Sequence, residues 1–153
     1  MAASNQHTLL IPAADEEIEF LMGALDGRIA VITGPGRGAR PAVRERGDVH
    51  VLVNNAGVLR DRMLINMSDD ECDAIMRVHL RGHFMPTCPA ARHWRARSQE
   101  GQQAKPTLIN TSSTSGLFGN VRQGNYGAAK SRLASFTQIC QMELYGTGCA
   151  AMR

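Results

Sequence analysis

Residues 28–38 read RIAVITGPGRG, and this stretch decides the expected fold. Its first six residues, 28–33, are mostly apolar and β-branched, which predicts a short buried strand. The strand runs directly into a turn that carries glycines at positions 34, 36 and 38. A strand that ends in a glycine-rich turn, ahead of a possible helix start, is the context in which proteins bind the pyrophosphate of a dinucleotide. The stretch therefore predicts an α/β domain with a phosphate-binding turn.

Two further short apolar runs also end in polar or glycine residues. Residues 49–53 (VHVLV) lead into the NNAG sequence at 54–57, and residues 106–111 (PTLINT) lead into serines at 112 and 113. In open α/β sheets, ligands bind at the carboxyl ends of the strands. We therefore expect three parallel strands whose carboxyl ends line one site.

A tyrosine and a lysine four positions apart carry the strongest chemical signal. Tyr126 precedes Lys130 by four residues, and Ser113 lies thirteen positions upstream of the tyrosine. On a helix this spacing places Tyr126 and Lys130 on one face as neighbours. A nearby cation favours the phenolate form, so the tyrosine can act as a general acid or base near neutrality. Ser113 can hydrogen-bond the same substrate oxygen and stabilise developing charge.

This trio suits the reversible reduction of a carbonyl. The hydride must come from a cofactor, because no side chain donates one. A structural alternative explains the same pair as a buried tyrosine and a lysine that extends along a helix surface. The pair alone leaves the two interpretations about equal, and the strands and glycines upstream favour the catalytic one.

In order and spacing, these motifs resemble the short-chain dehydrogenase/reductase family. The similarity covers about residues 25–148, and residues 78–82 (VHLRG) and 116–130 are most similar to 3-oxoacyl reductases and 3-hydroxyacyl-CoA dehydrogenases. The resemblance implies an α/β fold with a reduced Rossmann-like, doubly wound parallel sheet. It implies an enzyme that interconverts a carbonyl and a secondary alcohol with NAD or NADP. The substrate would be a small carbonyl or alcohol of the 3-oxoacyl/3-hydroxyacyl type, such as an acyl thioester.

The resemblance also implies residue roles. Tyr126 would be the acid/base, Lys130 its supporting cation and ribose contact, and Ser113 the donor to the carbonyl oxygen. His79 stands where many members carry an active-site Asn, so it would take the fourth catalytic position, with a packing role as the alternative. The implied cofactor-binding residues are Thr33, Gly34, Gly36, Arg37, Gly38, Asn54, Asn55, Ala56, Gly57, Tyr126 and Lys130.

One departure from the family lies between the first two strands. Only 21 positions separate Thr33 from Asn54, where family members place two further βα units. At about 30 residues for a strand-helix-strand unit, roughly 50–60 residues are missing. The sheet should then keep only strands equivalent to the family's first, fourth and fifth, with no later strand before Arg153. The segment that would distinguish NAD from NADP is absent, and a non-catalytic remnant that acts as an association module is the competing interpretation.

Composition narrows the possible partners. Net charge is +3, and four arginines fall close together within residues 37–46. That run could contact cofactor phosphate, but no aromatic residues interleave with it, so nucleic-acid binding lacks support and a solvated helix is favoured. The four cysteines form no metal-type cluster. No secretory signal and no apolar stretch of membrane-spanning length are present, which predicts a cytoplasmic protein without a membrane partner.

The chain divides into two parts. Residues 1–26 are an N-terminal extension, in which 15–25 can form an amphipathic helix. Residues 27–153 form the incomplete Rossmann-like dinucleotide-binding and catalytic domain. Within it, the pattern predicts a helical region over 68–97, disturbed by its two prolines, and a helix over 125–144. In the family these two helices form the common subunit interface, so the resemblance implies a homo-oligomer.

Overall fold

The computed structural model describes residues 27–33, 48–102 and 105–152. Several predictions concern residues outside these ranges: the turn residues Gly34, Gly36, Arg37 and Gly38, the arginine run, and the extension over 1–26 with its helix. Those predictions, and the division into two parts, therefore stay predictions.

Four parallel strands form a single sheet in sequence order. They are β1 (Ala30–Thr33), β2 (Val51–Asn54), β3 (Thr107–Asn110) and β4 (Ala150–Met152). The register aligns Thr33 with Asn54 and Asn54 with Asn110, so three polar residues lie side by side where the strands end. The predicted convergence of three carboxyl ends is confirmed.

Within the residues that the structure describes, four helices flank this sheet. They are α1 (Asp69–Met76), α2 (Gly82–Gln99), α3 (Thr114–Phe118) and α4 (Gly124–Leu144), with a π-helical turn at Arg77–Arg81 and 3-10 turns at Leu64–Asn66 and Tyr145–Thr147. Ser68 starts α1 with a capping box, since its hydroxyl accepts from the amide of Glu71 and the Glu71 carboxylate accepts from the amide of Ser68. This arrangement satisfies two of the amides that a helix start leaves unpaired.

The hydrophobic core lies between the sheet, α2 and α4. Leu52 of β2 and Leu108 of β3 are fully buried at its centre, and Trp94 of α2 packs in the same cluster. The Trp94 indole donates a hydrogen bond of 2.7 Å to the backbone oxygen of Val49. That bond satisfies the one polar atom of the buried ring and fixes α2 against the start of β2.

The prediction that no strand follows the third one was wrong. After α4, Gly148 adopts a left-handed conformation with φ of 72°, and the buried Cys149 follows it. Ala151 then pairs with Leu108, and its amide donates to the side-chain oxygen of Gln141 on α4. A left-handed glycine reverses the chain at low cost, so a run of only three residues can return to the sheet as β4.

The sequence predicted that the helical region over 68–97 would be irregular at its two prolines, but the irregularity lies elsewhere. Helix α2 continues through Pro86 and Pro89, and the irregular part is the π-helical turn upstream. The carbonyl of His83, inside the proline-containing stretch, accepts from the Thr87 hydroxyl at 2.7 Å and from the Asn54 amide at 3.4 Å.

Candidate active site at the carboxyl ends of the strands

Close packing of two helices brings the predicted serine, tyrosine and lysine into one region. Ser113 caps α3, whereas Tyr126 and Lys130 lie on α4. A Cβ atom added at Gly116 would lie 2.7 Å from the backbone carbon of Lys130, and one at Gly127 would lie 2.9 Å from the oxygen of Ser115. Only glycine permits such approaches, so these two positions set the distance between α3 and α4.

Lys130 is buried and held in place by the end of β3. Its ammonium donates a short hydrogen bond to the backbone oxygen of Thr111 and lies 5.7 Å from the centre of the Tyr126 ring. Burial lowers the pKa of Lys130, because charge is costly away from water. The expected one-face arrangement of Tyr126 and Lys130 is therefore present, and the lysine has a fixed position.

Ser113 presents a hydroxyl with a free proton. Its side-chain oxygen accepts from the amide of Ser115 at 3.2 Å, which makes it the N-cap of α3. An oxygen that accepts from the helix can still donate its own proton to a further group. The capping bond therefore orients Ser113 without using the donor that a substrate oxygen would need.

His79 packs against the ring of Tyr126. It is fully buried in the π-helical turn, and its ring meets the Tyr126 ring edge-on at 5.1 Å between centroids. Its Nε2 lies 2.7 Å from the oxygen and 3.2 Å from the amide nitrogen of Val58. Because the first distance is the shorter, we assign the proton to Nε2, which donates to that oxygen. These contacts favour a packing and positioning role for His79, and a direct catalytic role stays a prediction.

The charge state of His79 agrees with that placement. Burial, the main influence, and the charge of Lys130 lower the pKa of His79, while the hydrogen bond to Val58 acts in the opposite direction. The imidazole is therefore neutral at neutral pH. A neutral ring can pack against Tyr126 without adding a second positive charge beside Lys130.

Asn54 connects the sheet to both long helices. Its side-chain amide donates to Thr87 of α2 at 3.0 Å and to Asn110 of β3 at 2.9 Å, and Asn110 donates to Thr137 of α4 at 2.9 Å. All four side chains are buried. We call them the Asn54–Asn110 row. The Asn54 side chain is thus inside the protein, so any contribution to a cofactor site is through its backbone and its neighbours.

The residues that follow Asn54 lie where a cofactor could reach them. Asn55 and Gly57 are exposed, and Ala56 is half-buried. The amide of Asn55 donates to the hydroxyl of Thr33, and the hydroxyl of Thr111 donates to the side-chain oxygen of Asn55. These bonds join the carboxyl ends of β1, β2 and β3. The described part of the predicted cofactor site, Thr33 and 54–57, is therefore one continuous edge.

Several residues of the site were missed from the sequence. Gln123 accepts from the Ser115 hydroxyl at 2.6 Å and donates to the carboxylate of Asp61 at 2.9 Å. Asn125 is buried and donates to the backbone oxygens of Arg60 and Glu71. Together they attach the loop after β2 to α3 and α4. Single polar residues in loops have no periodicity, so no pattern in the sequence indicates them.

Large apolar side chains are exposed on the loops that Gln123 joins, among exposed polar residues such as Arg62 and Arg122. Four large side chains are more than 70 % exposed on the loop after β2 and on α3 with the loop that follows it: Leu64, Ile65, Phe118 and Val121. We call these four residues the apolar rim. Within the described ranges no cluster of three or more His, Cys, Asp or Glu side chains could hold a metal ion. Nor does any helix in that part of the chain combine the length and apolarity needed to cross a membrane.

Comparison with known proteins places these features in one family. The sequence model of the family described as short chain dehydrogenase matches residues 28–152. Over 93 residues the chain is 53 % identical to a hydroxyacyl-CoA dehydrogenase of Mycobacterium tuberculosis, covering 60 % of this chain and 29 % of the relative. Over 134 residues it is 31 % identical to a 3-oxoacyl-[acyl-carrier-protein] reductase of Thermotoga maritima, covering 86 % of this chain and 52 % of the relative.

A solved structure gives the same result for the fold. The crystal structure of a short chain dehydrogenase from Mycobacterium avium matches with a TM-score of 0.71 and 45 % sequence identity. The match covers 74 % of this chain and 39 % of that one. The chain thus spans about a third to a half of the length of these three similar proteins.

Proposed function

This chain belongs to the short-chain dehydrogenase/reductase family, and we propose that it is an NAD(P)-dependent oxidoreductase of the 3-oxoacyl/3-hydroxyacyl type. The observation that carries the proposal is the fixed position of Lys130, bound to the carbonyl of Thr111 and directed towards Tyr126. Lys130 forms no ion pair with a carboxylate of the described residues, and a lysine buried in this way is costly, so its position needs a chemical reason.

The residues divide the proton chemistry between them. In the reductive direction the Tyr126 hydroxyl gives its proton to the carbonyl oxygen, and the charge of Lys130 stabilises the phenolate that remains. Ser113 donates a hydrogen bond to the same oxygen while negative charge develops on it. A bound nicotinamide supplies the hydride. Thr33, Lys130 and residues 55–57, of which Asn55 and Gly57 are exposed, are the described groups that would hold the cofactor, since they lie together along the carboxyl edge of the sheet.

Two observations support an acyl substrate. The relatives named above are a hydroxyacyl-CoA dehydrogenase and a 3-oxoacyl reductase. The apolar rim lies on the loop after β2 and on α3 with the loop that follows it, the segments that Gln123 joins at the start of the helix that carries Tyr126. Exposed apolar surface of this kind suits a substrate with a hydrocarbon chain.

A second candidate function is a non-catalytic association module, and the outer faces of the long helices favour it. Phe84 and Met85 of α2 and Ile139 and Met142 of α4 are each more than 40 % exposed. Such faces would be covered in a homo-oligomer, which the family resemblance also implies. Light scattering on the purified protein tests this point, and a single monomeric species at micromolar concentration would count against association.

Replacement of each tyrosine separates the two candidates. The protein is assayed with NADH and NADPH against a short 3-oxoacyl-CoA, and Tyr126→Phe is compared with Tyr145→Phe. Because Tyr145 is 78 % exposed after α4, its replacement is the matched control. We expect Tyr126→Phe to lower kcat by about 10²–10⁴-fold and Tyr145→Phe to leave it unchanged. Full activity in Tyr126→Phe contradicts the assignment, and a folded wild type without turnover favours the association module.

A further inference from the structure

A chain of hydrogen bonds through Gln123 ends at the serine of the candidate active site. The Gln123 amide nitrogen donates to the Asp61 carboxylate at 2.9 Å, and its amide oxygen accepts from the Ser115 hydroxyl at 2.6 Å. The backbone amide of Ser115 donates in turn to the side-chain oxygen of Ser113 at 3.2 Å. Asp61 lies on the loop after β2, both serines lie at the start of α3, and Gln123 immediately precedes α4. Gln123 therefore joins three separate segments.

The partners of Gln123 fix the direction in which its amide group points. A carboxylate only accepts hydrogen bonds, so the amide nitrogen must face Asp61. The amide oxygen then faces the Ser115 hydroxyl, and the side-chain nitrogen of Asn120 donates to the same oxygen at 3.3 Å. The inverted orientation would place the oxygen against a carboxylate and the nitrogen against another nitrogen. The two ends of the amide are thus matched to different neighbours.

The Ser115 hydroxyl depends on this amide, because the residue is away from water. Ser115 is only 8 % exposed, and a buried hydroxyl that loses its acceptor has no water to replace it. The backbone oxygen of Ser115 already lies so close to α4 that a Cβ atom at Gly127 would approach it to 2.9 Å. The backbone of Ser115 is therefore held by packing against α4, and its side chain is held by Gln123.

Helix α3 cannot fix its own orientation, because it contains only the five residues Thr114–Phe118. A helix of that length is not stable by itself in water, so its contacts with α4 determine how it lies. Glycine contacts limit distance without setting direction, whereas a hydrogen bond sets both. A second side-chain bond at this junction, from Ser112 to the backbone oxygen of Lys130, is longer at 3.3 Å. The short bond to Gln123 is therefore the main directional contact near Ser113.

We propose that Gln123 is a positioning residue for the reaction. Through Ser115 it orients the Ser113 hydroxyl that donates to the carbonyl oxygen, and Asp61 keeps the Gln123 amide in the required orientation. This inference rests on the proposed function, because the orientation of Ser113 matters only when a substrate oxygen meets it. The bond from Ser113 strengthens as charge develops on that oxygen. Misalignment should therefore lower kcat and leave KM almost unchanged.

A double-mutant cycle tests whether Gln123 acts through Ser113. The kinetics of wild type, Gln123→Leu, Ser113→Ala and the double variant are measured with NADH and NADPH against a short 3-oxoacyl-CoA. We expect Gln123→Leu to lower kcat by about 10–10²-fold, and to have little further effect once Ser113 is alanine. Gln138→Leu is the matched control, because Gln138 is an exposed glutamine on α4, and it should behave as the wild type. An equal loss of kcat with and without the serine overturns the proposal.

Two substitutions at Asp61 test the other bond of Gln123. Asp61→Asn keeps an acceptor for the Gln123 amide nitrogen, whereas Asp61→Leu removes it. We expect Asp61→Asn to keep the wild-type kcat and Asp61→Leu to lose part of what Gln123→Leu loses. A wild-type kcat in Asp61→Leu would overturn the orienting role of Asp61.

A measurement without turnover separates failure of this inference from failure of the proposed function. Three-bond scalar couplings from nuclear magnetic resonance give the side-chain rotamer of Ser113 in each protein. We expect one rotamer in wild type and Gln138→Leu, and averaging between rotamers in Gln123→Leu, even if no variant is active. An inactive wild type with this pattern contradicts the proposed function alone. An unchanged rotamer in Gln123→Leu overturns the positioning role, and Asp61→Leu, at an exposed site, serves for this comparison if Gln123→Leu does not fold.

Discussion

The two ends of strand β2 carry polar clusters that differ in how their charged group is compensated, although the amino end also contains one buried atom, Nε of Arg97, that has no hydrogen-bond partner among the described residues. At the amino end, the Asp48 carboxylate is bound by His93 at 2.6 Å, Arg97 at 2.8 Å and the amide of Val49 at 2.8 Å, with His50 at 3.6 Å. At the carboxyl end lies Lys130, which forms no ion pair with a carboxylate of the described residues, and Oδ1 of Asn54 and Nδ1 of His79 have no hydrogen-bond partner in the same ranges. The first cluster joins α2 to the start of the sheet, and the second surrounds the candidate active site.

This difference indicates what each end contributes. A carboxylate whose oxygens are satisfied by charged and neutral donors favours the folded state. A buried ammonium without an ion-pair partner among the described residues disfavours the folded state, as do buried polar atoms without hydrogen bonds, and such groups persist where the surrounding packing fixes them in place. The carboxyl end therefore gives up stability in a place where a lysine of lowered pKa is useful for chemistry.

The largest effect is expected on turnover, from removal of the Lys130 charge. Lys130→Met should lower kcat by about 10²-fold or more and move the pH profile of activity upward, because the phenolate loses its cation. The only other lysine in the sequence is Lys105, which is exposed. Lys105→Met is therefore the matched control. Equal kinetics in both variants would show that the carboxyl-end charge does not serve the reaction.

The next effect concerns stability against pH at the carboxyl end. His83 has a pKa of about 4 when folded and 6.5 ordinarily, so between these values the unfolded chain binds the extra proton. Stability should fall as pH drops from 6.5 towards 4, by up to about 3 kcal/mol. In His83→Phe this part of the pH dependence should disappear, leaving the contribution of His79. Urea unfolding at several pH values measures it, and an unchanged slope in His83→Phe would contradict the buried neutral imidazole.

A change at the contact between α3 and α4 should alter the stability of the fold in a way that does not depend on pH. In Gly116→Ala the added methyl group meets the backbone of Lys130, and we expect a loss of about 1–3 kcal/mol together with reduced activity. A methyl group added at Gly146 would meet no neighbouring atom, and Gly146 has no positive φ, so Gly146→Ala should be close to neutral. Thermal unfolding compares the two, and similar melting temperatures would mean that the helix packing adapts.

A smaller effect, in a different pH window, is expected at the amino end. Partial burial alone would raise the pKa of Asp48, but hydrogen bonds from His93 and Val49, with the charges of His50 and Arg97, lower it below 3.8. The ionised Asp48 carboxylate therefore stabilises the folded state fully above pH 3.8. This stabilisation is lost as the pH falls through the lowered pKa that Asp48 has in the folded protein. Asp48→Asn should cost about 1–2 kcal/mol at neutral pH and remove this loss below pH 4. A stability change confined to higher pH would contradict the lowered pKa of Asp48.

The parts of the fold that the sequence predicted are those with local signals. Strands β1 to β3 and helix α4 were found to within a few residues, because apolar runs, glycines and the Tyr126–Lys130 spacing are readable without tertiary structure. The convergence of the strand ends followed from parallel pairing. Residue spacing suggested the roles of Ser113, Tyr126 and Lys130, and the family resemblance implied the same roles, which stay predictions.

The parts that were missed depend on distant contacts. Strand β4 has three residues, and it forms because β3 offers a free edge beside it. The π-helical turn and the burial of His83 arise from packing between α2, β2 and α4, so no short stretch encodes them. Gln123 and Asp61 meet across 62 positions of sequence, and neither has a neighbour that predicts the contact.

The Asn54–Asn110 row has a consequence for how the molecule opens. Its bonds join residues 33, 56 and 27 positions apart, so they close only when both helices and both central strands are already assembled. Loss of any one bond leaves a buried amide or hydroxyl without water to replace it. The backbone amides of β2, β3, α2 and α4 should therefore exchange with solvent hydrogen as one cooperative unit, slowly and together, whereas the loops that surround the active site exchange independently.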